Sequence, residues 1–341
     1  MPSDAAQLFM AIEGFEPYFN EQHKVLNPAY RELSGVNGIQ ISNDSTVVFD
    51  LAEKDPHFLQ KLASPYASIY PREAVQNNPQ NFAPVGSGPF RYSQQVGDSL
   101  YVFSKNNEYQ QPDDTVPVLD RVDVMVETNE SLLLKALASG NVHLVPEVGP
   151  QILSNILQPK SGMLSPAYNS DYTFVKPGGA TTYDLQYNTN SVTSEPAIRS
   201  LFYRVDLNNI ANRLPGNLIN VKASTDSVTT DSLEMPATVL STYSEDPFQR
   251  WFLQQISNEW MAKPQLQILR IRTPSRHTAL YTSSFVPTFP GQSTPMHSNV
   301  LMRYSIQQSV LAINQIKQLP FNSLPWWIDL RTLDMPGIDN L

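Results

Sequence analysis

Five histidines, His23, His57, His143, His277 and His297, are the side chains best suited to binding a metal or relaying a proton. They stand far apart, with no His-x-x-x-His pair. Metal sites need clustered ligands, so each reads as a surface or supporting residue. The chain has no cysteine, which removes disulfides, thiolate metal sites and thiol nucleophiles together. Asp113-Asp114 is an acidic pair in a proline-flanked loop with nothing beside it for acid–base work, and reads as a solvated loop. Gly86-Ser87-Gly88 lacks the Gly-x-Ser-x-Gly spacing of a nucleophile elbow. There is no phosphate-cradling glycine loop of the dinucleotide or P-loop type. With no grouping of nucleophile, acid and base, the expectation is a protein that is not an enzyme and uses no cofactor and no metal.

The charge balance narrows the partners. Net charge is −9 and the pI is near 5.0. The single basic cluster, Arg270, Arg272 and Arg276, is short and reads as a solvated strand end, so nucleic acid is not an expected partner. No apolar run approaches the length that spans a bilayer. Met1–Gln7 has neither a basic stretch nor an apolar one and is not a signal peptide. An export signal would have been removed or would lie upstream.

The elements that must position any site are short. Twenty-eight prolines are spread along the 341 residues, a pattern of brief elements joined by fixed turns in a chain long enough for two domains. Residues 4–33 read as helical, 39–42 and 46–51 as a hairpin, 56–63 as a short helix, 66–70 as a strand and 71–77 as a helix. A second hairpin turns at Gly97-Asp98. Residues 120–146 read as strand, helix, strand, of the βαβ type. A short helix over 150–156 leads into a loop-rich passage over 158–181. Beyond it come a strand over 184–187 and helices over 195–203 and 206–213. A second βαβ-like unit follows, with strands over 239–243 and 266–271 around an amphipathic helix from Pro247. Trp251 and Trp260 lie on the apolar face of that helix. Residues 287–295 read as a return crossing, and 299–316 are ambiguous.

Pro84-Val85-Gly86-Ser87-Gly88-Pro89-Phe90 resembles the Pro-x-Gly-Thr/Ser-Gly-Pro-Phe/Tyr motif of family 5 extracellular solute-binding proteins. Other landmarks follow in that family's order. They are Asn106-Asn107-Glu108-Tyr109, Leu119-Asp120-Arg121-Val122, Ala136-Leu137-Ala138-Ser139-Gly140-Asn141-Val142 and Tyr187-Asn188-Thr189. Ile198-Arg199, Val205-Asp206 and Ile210 complete the series. The likeness covers residues 1–215 well and 235–341 loosely. Gly86 and Gly88 are expected to supply backbone angles closed to other residues, so that Gly86, Ser87, Gly88 and Pro89 form a structural turn before the strand at Phe90 rather than a ligand contact.

The resemblance implies an α/β, two-lobed fold of the periplasmic-binding-protein type II, incomplete here. The family's N-terminal part of lobe I and a piece of lobe II have no counterpart in this sequence. Residues 1–182 would form the lobe I portion, with a small subdomain over about 1–83. Residues 183–288 would form lobe II, and 289–341 would return to pack on lobe I. The implied function is capture of a small ligand (peptide, oligosaccharide or metal chelate) between the lobes, for the membrane subunits of an ABC importer, in the periplasm or at the cell surface. Clefts favour aromatic walls with a few placed polar groups. Tyr183, Tyr187 and Asn188, at the expected crossing, are therefore ligand-binding candidates, as are Trp326 and Trp327, where the family returns to its first lobe. Core packing is the competing reading for each of these aromatics. The alternative function is a reduced family member acting as a protein–protein assembly or regulatory module, with another chain completing lobe I.

Overall fold

The computed structural model describes residues 4–25, 27–71, 73, 84–109, 117–192, 194–202, 205–223, 238–242, 246–260, 265–269, 280–284, 299–316, 319 and 330. Among these, the strands in chain order are β1 (Ile39–Asn43), β2 (Thr46–Phe49), β3 (Phe90–Val96), β4 (Leu100–Lys105), β5 (Arg121–Met125), β6 (Leu144–Val145) and β7 (Tyr172–Val175). They continue with β8 (Ala180–Tyr187), β9 (Ile219–Ala223), β10 (Thr238–Thr242), β11 (Gln265–Leu269), β12 (Leu280–Ser284), β13 (Val300–Gln307) and β14 (Val310–Ile313). The helices are α1 (Phe15–Lys24), α2 (Phe58–Leu62), α3 (Glu130–Ala138), α4 (Pro150–Ile156), α5 (Glu195–Phe202), α6 (Leu207–Asn212) and α7 (Pro247–Glu259).

A six-stranded sheet runs in the order β11-β10-β12-β8-β13-β9, and a three-stranded sheet in the order β6-β14-β7. β3, β4 and β5 form a separate antiparallel sheet, and β1 and β2 a hairpin. In the large sheet β10 pairs parallel with β11 and β12, and the other pairings are antiparallel. The main core gathers Tyr183, Leu185, Met302, Tyr304 and Ile306 from β8 and β13 with Phe248, Phe252, Leu253 and Ile256 from α7, and with Ile152, Leu153 and Ile156 from α4. Residues three and four apart on α7 share one face, so its Phe/Phe/Ile stripe meets the sheet.

The two sheets are joined by neighbouring strands. β7 runs into β8 through residues 176–179, and β13 runs into β14 through residues 308 and 309. β7 pairs with β14 in the small sheet, and β8 pairs with β13 in the large one. The chain thus passes between the sheets twice, side by side. The two passages are tied together where Gln308 N–H donates to the Gly179 carbonyl (2.8 Å). Lys176 Nζ, at the start of the first passage, donates to the Gly216 carbonyl (3.0 Å). Gly162, with φ +63°, lies directly against Gly216, so that a Cβ there would collide with backbone.

Several sequence expectations change. The helix expected over 4–33 is broken at Gly14, which takes φ 74°; two 3-10 segments, Asp4–Phe9 and Pro28–Tyr30, and α1 form there. Residues 66–70 are not a strand, because Pro65 starts a 3-10 turn over Pro65–Ala67. The expected βαβ unit over 120–146 dissolves: β5 pairs antiparallel with β4, whereas β6 pairs with β14. The second unit does hold parallel strands, β10 and β11, on either side of α7. The loop-rich passage contains β7, and the ambiguous stretch contains β13 and β14. The break expected between residues 182 and 183 falls inside β8, and the helix expected over 71–77 lies mostly outside the described residues.

Gly86 and Gly88 do not take positive φ. The turn is held instead by Asn106, whose Nδ2 donates to the Gly88 carbonyl (2.8 Å) and whose backbone N–H donates to the Pro89 carbonyl (2.9 Å). Two landmarks of the resemblance therefore hold each other.

Candidate functional site

The crossing places a polar recess against an aromatic column. In the register of β8 and β13, Tyr183 faces Tyr304 and Thr181 faces Ile306. The Tyr183 and Tyr304 rings stack with centroids 5.0 Å apart, and Phe252 stacks on Tyr304 at 3.9 Å. Phe252 reaches this position because α7 is started sharply. Asp246 caps it by accepting from the backbone N–H groups of Phe248 (2.8 Å) and Gln249 (3.1 Å), and Pro247 occupies the first turn. Both choices suit a helix N-terminus. The second Asp246 oxygen accepts from the Tyr183 hydroxyl (2.8 Å).

The opposite wall is Glu147, between β6 and α4. Glu130, in the first turn of α3, accepts from the backbone N–H of Ile152 (2.9 Å) and so anchors the start of α4. A Cβ at Gly149 would run into the Glu130 carboxyl, which would have to move off the start of α4 to make room. Val148 N–H donates to the Ser309 carbonyl (3.1 Å), which fixes the adjacent Glu147 against the second crossing. Glu147, Thr181, Tyr183, Gln307, Gln308 and Ser309 then line a recess, with Phe248 and Ile306 as its apolar part. There is room in it for about one water molecule.

Burial sets the electrostatics. It pushes the Tyr183 phenol far above its ordinary range, reinforced by the nearby Asp246 and Glu147 charges, so the hydroxyl stays a donor. The Asp246 carboxyl is raised because burial outweighs the hydrogen bonds from Tyr183 and the α7 amides. Glu147 is exposed as a residue, with protein packed around part of its carboxyl. Its carboxyl is raised by that crowding and then by Asp246. The Tyr304 hydroxyl is buried without a hydrogen-bond partner among the described residues. On the other face of the same two strands, Asp184 and Arg303 sit directly opposite in register and form a bidentate ion pair. Among the described residues no group of three or more His, Asp or Glu is arranged to hold a metal. The recess therefore offers negative charge and hydrogen-bond acceptors.

A pH dependence follows. A carboxyl whose folded pKa lies above its unfolded value binds more protons when folded, so stability falls as pH rises between the two values. For Asp246 this window opens near pH 4, the ordinary Asp value. Asp246→Asn keeps a good helix cap and removes the titration. The variant should gain on wild type as pH rises from about 4 through the raised value, as read by denaturant unfolding at successive pH. A stability difference that stays constant with pH would contradict this.

Of the sequence-based candidates among the described residues, only Tyr183 lines the recess. Tyr187, at the end of β8, and Asn188, just after it, lie four and five residues along the chain from Tyr183, about 13 Å or more away at strand rise. Both are buried: Tyr187 belongs to the core, and Asn188 accepts from the Asn190 N–H in the turn after β8. Trp326 and Trp327 lie outside the described residues, as do His277, His297, Arg270, Arg272, Arg276 and Asp113-Asp114. Sequence reasoning missed Glu147, Gln307, Gln308, Ser309 and Asp246. The available signals were a lone acid between Pro146 and Pro150 and a capping Asp ahead of Pro247.

The profile of the bacterial extracellular solute-binding proteins, family 5 middle, matches residues 15–222. The di/tripeptide-binding protein 1 of Pseudomonas aeruginosa (strain UCBPP-PA14) is 32% identical over 113 residues, 31% of this chain and 21% of that protein. The dipeptide-binding protein of Escherichia coli (strain K12) is 25% identical over 155 residues, 42% of this chain and 28% of that protein. Each match thus spans less than a third of the curated relative. Among solved structures, a periplasmic oligopeptide-binding protein from Borrelia burgdorferi superposes with a TM-score of 0.57 at 17% identity, covering 83% of this chain and 60% of its own. The oligopeptide-binding protein AppA from Bacillus subtilis gives 0.60 at 12% identity, covering 87% and 77%. At these identities the structural likeness concerns the fold.

Proposed function

The chain belongs to the bacterial extracellular solute-binding proteins of family 5, and from that membership we propose that it captures a small solute in the cleft between two lobes and releases it chemically unchanged. The observation that carries this reading is the paired crossing. Two hydrogen-bonded passages, 176–179 and 308–309, join the small sheet to the large one, and the second of them lines a polar recess. A few backbone angles in two such passages are enough for hinge closure around a ligand. In this reading the lobes divide at those passages, with β7 and β14 on one side and β8 and β13 on the other.

The relatives matched in sequence are named for di- and tripeptides, so short peptides are the first solute class to expect here. An ABC importer outside the cytoplasm is the expected recipient. No helix among the described residues is long and apolar enough to cross a membrane. The test is calorimetric titration of the full chain with a set of di- and tripeptides. At least one is expected to bind, raise the unfolding midpoint and come back intact after incubation. Hydrolysis of the peptide, or no binding from peptides, sugars or metal chelates, would overturn the proposal.

A second reading has its own observation. Ile41, Leu59 and Ile69 stand 80%, 79% and 93% exposed in the N-terminal region, and apolar groups so exposed can mark a protein interface. In that reading another chain covers them and the module assembles rather than binds solute. A stable stoichiometric complex with no solute binding would favour it.

A further inference from the structure

The β1–β2 hairpin leaves one apolar face and one strand edge uncovered. Ile39 stands opposite Phe49 and Ile41 opposite Val47, so these side chains share one face. Phe49 meets Phe58 of α2 edge to face, with ring centroids 5.5 Å apart. Beyond that contact the face is open: Ile39 is 40% exposed, Val47 50%, and Ile41 more than either. Every residue of β1 is exposed. A hairpin of two strands is marginal in water, and further strands over an apolar face are what make such a sheet stable.

The free edge has a definite chemistry. The chain after β2 is bridged on its outer side, Leu51 to Ile12, whereas β1 pairs with no strand but β2 among the described residues. Asp50 N–H donates to the Gly38 carbonyl (2.9 Å), which marks those two as a hydrogen-bonded pair. The alternation of an antiparallel ladder makes Gln40 and Val48 the next such pair and turns the backbone groups of Ile39 and Ile41 outward. The Ile39 N–H is already given to the Val36 carbonyl (3.1 Å). The edge then offers the Ile41 N–H as donor and the Ile39 carbonyl as acceptor.

That pattern is complementary to itself. We propose that two copies of this chain pair edge to edge along β1, antiparallel, on a two-fold axis through Gln40. Each Ile41 N–H then donates to the partner's Ile39 carbonyl, and Ile39 and Ile41 lie opposite the partner's Ile41 and Ile39. The hairpins merge into a four-stranded sheet in the order β2-β1-β1-β2. One face of it carries the apolar row Phe49, Ile39, Ile41, Val47 twice, once from each direction. A two-fold contact uses the same patch on both copies and closes, so it stops at a dimer. The inference rests on the reading that another chain covers this surface, and it names that chain; it does not depend on solute capture at the crossing. The strand edge is a small interface, and each copy carries a net charge of −9. Association is therefore weak, with a Kd of roughly micromolar order, and is strengthened by salt, which screens the repulsion.

Two measurements on the full chain test it. In sedimentation velocity over roughly 1 to 100 μM, the chain should pass from monomer to a species of twice its 38.3 kDa. Ile41→Lys puts a charge on the edge and should weaken association at least about tenfold. Ile41→Pro takes away the outward N–H without removing a bond inside the hairpin, and should do the same. Val192→Lys, at an exposed apolar residue after β8, should leave the dimer unchanged. Circular dichroism checks that each variant is folded. The second measurement uses the lack of cysteine in the chain. Gln40→Cys should cross-link two copies under mild oxidation, because opposite residues of a non-hydrogen-bonded pair stand about 4.5 Å apart at Cα. Ser42→Cys should not, since its two copies lie about 13 Å apart along the strands. Cross-linking at both positions or at neither, or a dimer that survives Ile41→Lys, overturns the proposed axis. A chain that stays monomeric but holds a different protein in a stoichiometric complex overturns the second copy and leaves the assembly reading standing. A monomer with no partner removes both.

Discussion

Arg303→Met is expected to lower folding stability by about 3–5 kcal/mol. Asp184 is 0% exposed, at the centre of β8 and in register with Arg303 on β13. The guanidinium donates from Nε to Oδ1 at 2.7 Å and from Nη2 to Oδ2 at 2.9 Å. Removing the arginine leaves a desolvated carboxylate with its principal charge partner gone, which is the costly case. Removing both charges is different. In Asp184→Leu with Arg303→Met the desolvation penalty disappears along with the attraction, and most of the lost stability should return. Denaturant unfolding of the two single variants and the double variant closes the cycle. A double variant no more stable than Arg303→Met would mean that the pair holds the register of β8 and β13 through its other contacts. A single variant costing less than about 1 kcal/mol would place the pair among solvated surface bridges. The pair matters for function because these two strands carry both crossings, and a slip of one residue would turn Tyr183 away from the recess.

How far the sequence reveals this arrangement differs from element to element. α7 is legible because three signals agree: Asp246 as cap, Pro247 in the first turn, and Phe248, Phe252 and Ile256 at helical spacing. The strands on either side of it follow from their apolar runs. β13 and β14 are not legible for a physical reason. Val300, Leu301 and Met302 are all buried, as are Val310, Leu311, Ala312 and Ile313. β14 and the first residues of β13 are covered on both faces and lose the two-residue alternation that marks a half-exposed strand, which β13 shows only from Met302 to Gln307. Gln307-Gln308-Ser309 then interrupts the run just where the chain changes sheets.

Partner choice is harder still to read than element type. The stretch over 120–146 does form strand, helix and strand, but nothing local says that β6, only two residues long, joins a strand near the C-terminus. The recess shows the same limit. Glu147 and Asp246 come together only through α4, α7 and the two crossings, so no spacing rule relates them. Tyr183 could be found because aromatic residues near an expected crossing are worth choosing. Tyr187 and Asn188 met the same rule and lie beyond reach, because a strand carries successive residues steadily away from one point. The Gly86-Ser87-Gly88-Pro89 turn was legible as structure but not in its cause. Its anchor is Asn106, a residue of the next landmark.

The aromatic column behind the recess yields the other large effect. Phe252→Ala should cost about 3–5 kcal/mol, because its ring is 1% exposed and lies 3.9 Å from the Tyr304 ring at an interplanar angle of 5°. No neighbour can fill the space readily, since Tyr304 is held on its other face by Tyr183. Tyr304→Phe makes the opposite change, since it keeps the stacked ring and removes only the orphaned hydroxyl. Deleting an unsatisfied buried group relieves its desolvation, so this variant should equal wild type or exceed it by about 1 kcal/mol in the absence of ligand. Urea unfolding of both variants at one pH gives the comparison, and an unchanged dependence on denaturant keeps the two-state reading valid. The contrast separates packing from polarity at one spot. If Tyr304→Phe instead destabilised the free protein by more than about 1 kcal/mol, the hydroxyl would be spending its hydrogen bond on a resident group such as a buried water.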